Sequence, residues 1–172
     1  MTNRTAQLLA IAALLAALAA VTAALALSSD DEPLNTKAAR QRVAIVTQGV
    51  QTDPASAAFE LTPLQAGVLK RDSGKETSNF TGRATMRHGQ RVVVTDGVET
   101  LHGDRGVLEL RFRIEWVGAG NDYRVGAGTW KIVRGTGRYA DLTGGGRRGD
   151  IWLKRGRGPW SGRAEGLLTS PP

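Results

Sequence analysis

The sequence contains no cysteine among its 172 residues, which excludes disulfide bonds and thiolate metal sites. It has only two histidines, His88 and His102, and neither stands at a metal-binding spacing from a third ligand. We therefore expect no metal. The folded part of the chain must be held together by its own hydrophobic core.

Catalytic and cofactor motifs are also scarce. No G-x-S-x-G nucleophile elbow is present. The segment Gly135-Thr-Gly-Arg-Tyr-Ala140 matches the dinucleotide pattern G-x-G-x-x-A, but that pattern has meaning only where a helix follows. Three glycines at positions 144–146 follow within a few residues and prevent a helix of useful length. We expect no cofactor, and the catalytic residues, if any exist, stay unknown.

The first region that stands out is apolar. Residues 6–27 contain two polar side chains, Gln7 and Thr22, and no charge, and Arg4 precedes them. Ala24-Leu-Ala26 offers a small-x-small cleavage site, as in signal peptides. The run is also long enough to cross a bilayer if it is retained. We therefore predict an N-terminal apolar helix, residues 1–27, that is a signal peptide or a membrane anchor.

This segment predicts export. The protein would be secreted or held in the cell envelope, or would be membrane-anchored with its domain outside. Residues 28–42 are predicted to form a polar linker, and residues 43–172 a folded domain. Lys and Arg number 23 against 16 Asp and Glu, a net charge of +7, which suits an anionic envelope surface or simply keeps the protein soluble. Export disfavours a nucleic-acid partner.

The domain is predicted to be all-β. From Leu108 to Trp116, apolar residues alternate with charged ones without a fault, which is typical of a strand with one buried face. Shorter strands are predicted around it, joined by glycine-bearing turns, at 43–50, 58–61, 80–87, 91–101, 123–133, 149–154 and 161–168. Residues 62–78 are predicted to form a long loop with a turn at Asp72-Ser-Gly74. This pattern indicates an antiparallel sandwich or a closed barrel.

The most distinctive passage is rich in glycine and runs from Gly126 to Gly146. Trp130 and Ile132 are predicted to point inward from a strand, and Tyr139 and Leu142 to fold back as an apolar plug after a sharp glycine turn. With Phe59-Glu-Leu-Thr-Pro-Leu64 before it and Arg163-Ala-Glu-Gly-Leu-Leu168 after it, this passage resembles the allene oxide cyclase-like β-barrels, whose architecture the dirigent proteins share. The resemblance implies an eight-stranded antiparallel barrel with an apolar central cavity. It maps no catalytic residue onto this chain.

Four residues are the candidates to line such a cavity and bind a ligand: Trp116, Trp130, Phe112 and Asp96. The tryptophans offer large apolar faces or fill the core. Asp96 points into the cavity as an acid or base, or it begins a turn with Gly97.

Two more tryptophans, Trp152 and Trp160, lie among basic residues, which suits either base stacking or a charged hairpin. Arg148-Gly-Asp150 spells the adhesion tripeptide, which we attribute to chance.

Two functions stay open. In the first, the domain binds a small apolar ligand, or an anionic envelope surface, without catalysis. In the second, it is a cyclase or dirigent-like enzyme that guides the stereochemistry of a hydrophobic substrate. The missing catalytic constellation favours the first.

Overall fold

The computed structural model describes residues 39–50, 53–120, 122–153 and 158–171. The predicted N-terminal helix and all but the end of the predicted linker lie outside these ranges. No helix in the described ranges is both long and apolar enough to span a membrane.

The described chain is all-β, as the sequence predicts, and its eight antiparallel strands hydrogen-bond in a closed ring. Each strand pairs with the next along the chain, and β8 returns to pair with β1. The first strand begins at Arg40, three residues ahead of the predicted domain start. The strands are β1 (Arg40–Val50), β2 (Asp53–Pro63), β3 (Asp72–Arg87), β4 (Gln90–Gly103), β5 (Gly106–Gly118), β6 (Tyr123–Gly135), β7 (Thr143–Leu153) and β8 (Pro159–Thr169).

Alternation along each strand sorts its side chains between the interior and the outside of the ring. The prediction for β5 is confirmed: Leu108, Leu110, Phe112, Ile114 and Trp116 are all buried in the core. Their neighbours Arg111 and Arg113 are exposed. Residues of other strands, such as Ile45, Leu61 and Leu101, pack in the same core.

One end of the ring is plugged. After β6 the chain makes a single 3₁₀ turn at Gly137–Tyr139, where Gly137 has φ +59. Tyr139 and Leu142 are buried there, and the Tyr139 hydroxyl donates a 2.6 Å hydrogen bond to Asp72 Oδ2. The predicted plug is therefore confirmed. We call this end, where the β2–β3, β4–β5 and β6–β7 connections lie, the plugged end, and the opposite end the open end.

The predicted loop over 62–78 is wrong in length, because β3 already begins at Asp72. Asp72 does not form the predicted turn. Its buried carboxylate accepts hydrogen bonds from the backbone N–H groups of Asp104 and Arg105, both at 3.2 Å, and so fixes the β4–β5 turn. The connection that remains, residues 64–71, is held by Gln41, whose side-chain oxygen accepts a 2.8 Å hydrogen bond from Leu69 N–H.

Candidate functional site

The interior of the ring contains a cavity of about 470 Å³ that reaches the open end. Its volume lies in the range of small-molecule sites in proteins. Seven of the eight strands contribute lining residues, and the wall has two parts of different chemistry. Aromatic side chains stand towards the open end, and charged side chains lie deeper.

The aromatic part, which we call the aromatic wall, consists of Phe80, Trp116, Trp152 and Trp160. Trp152 stands at its centre: its ring centroid lies 5.1 Å from that of Trp116, 5.8 Å from Phe80 and 6.5 Å from Trp160. These are distances at which aromatic rings attract one another in tilted and edge-to-face arrangements. The wall therefore presents a preformed apolar surface to anything that enters the cavity.

Trp116 is also fixed by its polar edge. Its indole Nε1 donates a 3.1 Å hydrogen bond to Thr95 Oγ1, and both residues are buried. On β6, the facing position is Gly126, where a Cβ atom would lie within 3 Å of the Trp116 ring. A larger residue there would push the indole out of place, so the glycine makes room for it.

The deeper part of the cavity is charged. Arg148 and Asp150 on β7 lie beside Glu99 on β4 and Glu76 on β3, and we call these four the buried charged cluster. Arg148 Nε donates to both carboxylate oxygens of Asp150, at 2.9 and 3.0 Å, and Arg148 Nη1 donates to Glu99 Oε2. The alternation of β7 places Arg148 and Asp150 on the same inward face.

Two further contacts hold the Arg148 guanidinium. Its Nη2 donates a 3.4 Å hydrogen bond to Thr47 Oγ1, and its central carbon lies 5.0 Å from the centroid of Phe112, which adds a cation–π attraction. Gly162 on β8 faces the ion pair, and a Cβ atom there would collide with the Asp150 carboxylate. The guanidinium is thus immobilised by partners on several strands.

Two carboxylate oxygens of this cluster have no hydrogen-bond partner among the described residues. Glu76 is 2% exposed and Glu99 is 1% exposed, yet Oε1 of each accepts no hydrogen bond from any described residue. Both residues line the cavity. A buried carboxylate oxygen without a donor costs free energy and is rare in folded proteins, so these two oxygens require a functional or structural reason.

Burial and mutual repulsion also change the acidity of the cluster. Desolvation, reinforced by the charge of Glu99, raises the pKa of Glu76 from 4.5 to about 7. Desolvation raises the pKa of Asp150 to about 6, although Arg148 opposes the shift. The Arg148 pKa is raised further above its already high value by Glu99 and Asp150, against the effect of its own burial. Glu76 can therefore accept or release a proton near neutral pH.

The predicted ligand-binding residues divide into two groups. Trp116 and Phe112 lie on the cavity wall. Trp130 is 3% exposed but belongs to the packed core, where its indole Nε1 donates to the backbone oxygens of Arg147 and Glu165.

Asp96 requires a correction on both of its predicted roles. Its side chain is 48% exposed on the outer face of β4, where it pairs with Arg113 at 3.0 Å, and therefore it does not line the cavity. It begins no turn either, because β4 continues through Gly97 to Gly103. Strand alternation explains the outcome: the inward positions of β4 are those of Thr95 and Glu99.

Sequence reasoning missed the buried charged cluster. Arg148 and Asp150 were read only as a tripeptide, and Glu76 was assigned to a loop. The sequence does contain one indication of this cluster. Arg148, Asp150 and Trp152 are spaced two residues apart, so in a strand their side chains lie on one face. Because Trp152 is large and apolar, that face is expected to be the inward one. Trp152 and Trp160, assigned to stacking or to a charged hairpin, stand on the aromatic wall. His88 and His102 are both exposed.

The plugged end has a second cavity of about 510 Å³, bordered by Tyr139 and Leu142. Three basic side chains, Lys70, Arg105 and Arg138, surround it. Across the described ranges, no group of three His, Cys, Asp or Glu side chains could hold a metal ion.

The fold and its cavity are the basis for any functional conclusion, because comparisons with other proteins add none. No protein-family model, no curated protein and no solved structure matches this chain.

Proposed function

We propose that this domain is a non-catalytic binding protein that holds one small, largely apolar ligand inside the ring. The observation that carries the proposal is the cavity of about 470 Å³ with its aromatic wall. Apolar cavities with a few polar groups at defined positions are typical of small-molecule sites. The wall gives the affinity for an apolar body, and the buried charged cluster gives the few polar contacts that orient it.

Tryptophan fluorescence tests this proposal directly, because Trp116, Trp152 and Trp160 line the cavity whereas Trp130 does not. We expect saturable quenching when the protein is titrated with the uncharged hydrophobic probe N-phenyl-1-naphthylamine. Trp152→Ala, which removes the centre of the aromatic wall, should weaken binding by about tenfold. Trp130→Phe should leave the affinity unchanged. The absence of saturable quenching by any apolar probe would exclude ligand binding in the cavity.

An enzymatic function is the second candidate, and one observation favours it. Glu76 faces the cavity with a pKa of about 7, which is the value expected for a general acid or base. The resemblance to allene oxide cyclase-like and dirigent-like barrels suggests a reaction of the same kind, in which the cavity guides the stereochemistry of a hydrophobic substrate. The discriminating variant is Glu76→Gln: in an enzyme it abolishes turnover of a bound compound while binding persists, and a binding protein shows no turnover to lose.

An anionic envelope surface is a further proposed partner. The three basic side chains around the second cavity, together with the net charge of +7, support it. The protein should then sediment with phosphatidylglycerol vesicles and not with phosphatidylcholine vesicles at low salt. Arg138→Gln, which removes one of the three charges, should weaken the sedimentation, and equal sedimentation with both vesicles would rule this partner out.

We also propose that the protein is exported, on the basis of residues 6–27 alone. The mass of the protein recovered from expressing cells tests this. A mature N-terminus near Leu27 indicates secretion after cleavage, and an intact N-terminus in the membrane fraction indicates an anchor. An intact N-terminus in the soluble cytoplasmic fraction would overturn export.

A further inference from the structure

We propose that the cavity is selective for ligands that carry a cationic nitrogen on an apolar or aromatic body, with the nitrogen bound by the free carboxylate oxygens of Glu76 and Glu99. This inference rests on the proposed function, because it names the chemical class of the ligand that the cavity holds. It follows from three features of the site: the unpartnered oxygens, the balance of charge and the position of the aromatic wall.

The unpartnered oxygens define what the ligand must supply. Glu76 and Glu99 line the cavity, and the Oε1 atom of each is buried and accepts no hydrogen bond from the described residues. A carboxylate oxygen is satisfied by a donor, and charge-assisted donors bind it most strongly. An ammonium group offers three N–H donors in a compact volume, which is more than the two free oxygens require.

The balance of charge favours a cation over a neutral donor. The buried charged cluster contains three carboxyl groups and one guanidinium, and the donors of Arg148 are directed at Asp150, Glu99 and Thr47. When its carboxyl groups are ionised, the cluster carries an excess of negative charge inside the ring. An anionic ligand would meet repulsion there, and a cation would relieve it.

The aromatic wall favours the same class of ligand. Three of its rings lie around Trp152, with 5.1 to 6.5 Å between centroids. The face of each ring carries the negative part of its quadrupole. Such clusters attract cations through the ring quadrupole and also stack on aromatic bodies. A ligand with an ammonium at one end and an aromatic body at the other would therefore match the cavity along its whole depth.

Binding of this kind is coupled to pH. The ionisable groups that face Glu76 are Glu99 on β4 and Arg148 and Asp150 on β7. As the pH falls below about 7, Glu76 takes up a proton, and Asp150 follows near pH 6. The excess of negative charge is then lost, and the affinity for a cation falls with it, whereas the affinity for a neutral ligand does not depend on these protons.

A matched series of three compounds tests the inference: 4-phenylbutylamine, 4-phenylbutanol and 4-phenylbutyrate, which share one body and differ in charge. Isothermal titration calorimetry with the purified protein at about pH 8 should show the amine binding roughly tenfold more tightly than the alcohol, and no binding of the carboxylate. At about pH 5.5 the preference for the amine should largely disappear.

Glu76→Gln measures the contribution of the Glu76 carboxylate to ligand affinity, because it replaces the carboxylate by a neutral amide of similar size. It should reduce amine affinity by about tenfold and alcohol affinity far less, because the amide oxygen of Gln still accepts a hydrogen bond from a neutral hydroxyl. Asp96→Asn, which removes an outward-facing carboxylate from the neighbouring strand, is the matched control and should change neither. The thermal unfolding of both variants confirms that they are folded, and Glu76 forms no ion pair with another described residue whose loss would prevent this.

The outcomes separate the inference from the function on which it rests. Equal affinity for amine and alcohol, or tighter binding of the carboxylate, overturns the cation preference while small-ligand binding stands. A preference for the amine that survives Glu76→Gln also overturns the assignment of the nitrogen to this carboxylate. Failure of all three compounds and of the uncharged naphthylamine probe overturns the proposed function itself.

Discussion

Two regions of the ring interior differ in whether the protein supplies hydrogen bonds to its buried carboxylates, and strand β3 contributes a carboxylate to each region. At the plugged end, Asp72 accepts four hydrogen bonds, from three backbone N–H groups and from the Tyr139 hydroxyl. Four residues further along the same strand, and on the same inward face, Glu76 Oε1 accepts none from the described residues. Two buried acids on one strand thus differ in whether the protein satisfies them.

The difference distinguishes a buried polar group that stabilises the fold from buried polar groups that are available to a ligand. The satisfied carboxylate of Asp72 fixes a turn and the plug, and its burial is compensated within the chain. The unsatisfied oxygens of Glu76 and Glu99 are not compensated, so they destabilise the free protein unless something else supplies the donor. Departures of this kind from local consistency are expected where a protein binds or reacts.

The largest expected effect comes from removing the only cation of the buried charged cluster. Arg148→Met leaves Glu99 and Asp150 buried without their partner and should lower the free energy of unfolding by about 3–5 kcal/mol at neutral pH. Urea unfolding followed by tryptophan fluorescence measures it. The control is Arg113→Met, which breaks the exposed pair with Asp96 and should cost less than about 1 kcal/mol. Similar losses in both variants would show that burial of the cluster has no energetic consequence.

The plugged end should respond to a smaller change. Tyr139→Phe removes the hydroxyl that donates to Asp72 at 2.6 Å, and it should lower the free energy of unfolding by about 1.5–3 kcal/mol, since the acceptor is a carboxylate. The exposed Tyr123 gives the matched control, and Tyr123→Phe should have little effect. Binding of N-phenyl-1-naphthylamine should be unchanged in Tyr139→Phe. A loss of binding would contradict the division of the interior into two independent ends.

The buried charged cluster should instead become more stable when the negative charge of Glu76 is removed. The folded protein keeps the Glu76 proton up to about pH 7, whereas the unfolded chain releases it near pH 4.5. The stability that this proton contributes is therefore full below about pH 4.5, is lost as the pH rises to about 7, and does not change above that.

Glu76→Gln removes the fall in the free energy of unfolding that the deprotonation of Glu76 causes. The variant should match the unsubstituted protein at about pH 4 and exceed its free energy of unfolding by about 1–2 kcal/mol at about pH 8. Asp150, whose pKa is also raised, contributes a loss of the same sign that persists in the variant. Urea unfolding at a series of pH values measures the difference. Identical profiles for the two proteins would mean that Glu76 is not desolvated.

The sequence predicted the apolar parts of this molecule well. The alternation from Leu108 to Trp116 identifies an inward face because the buried residues there are large and apolar. Tyr139 and Leu142 stand out as a plug because they are the apolar residues of a glycine-rich turn. In both cases burial and hydrophobicity coincide, so the pattern and the structure agree.

The same reasoning failed where the interior is polar. The inward residues in the first half of β3 include Asp72, Gly74 and Glu76, which read as a loop because none of them is apolar. Arg148 and Asp150 were not identified as inward-facing residues for the same reason. Their burial depends on partners contributed by other strands, and one sequence does not show which distant residues meet. The candidate site was therefore the part of the fold that hydrophobic patterning could not find.

The smallest expected effect concerns Asp96, which tests the register of β4. Asp96→Asn removes a carboxylate that is half exposed and pairs with Arg113, so the free energy of unfolding should change by less than about 0.5 kcal/mol and ligand affinity should not change. A slip of β4 by one residue would turn Asp96 inward and Thr95 and Glu99 outward. In that slipped register Asp96→Asn would alter probe affinity and Glu99→Gln would not, whereas the observed register predicts the reverse. Comparing probe affinity in these two variants therefore decides which face of β4 lines the cavity.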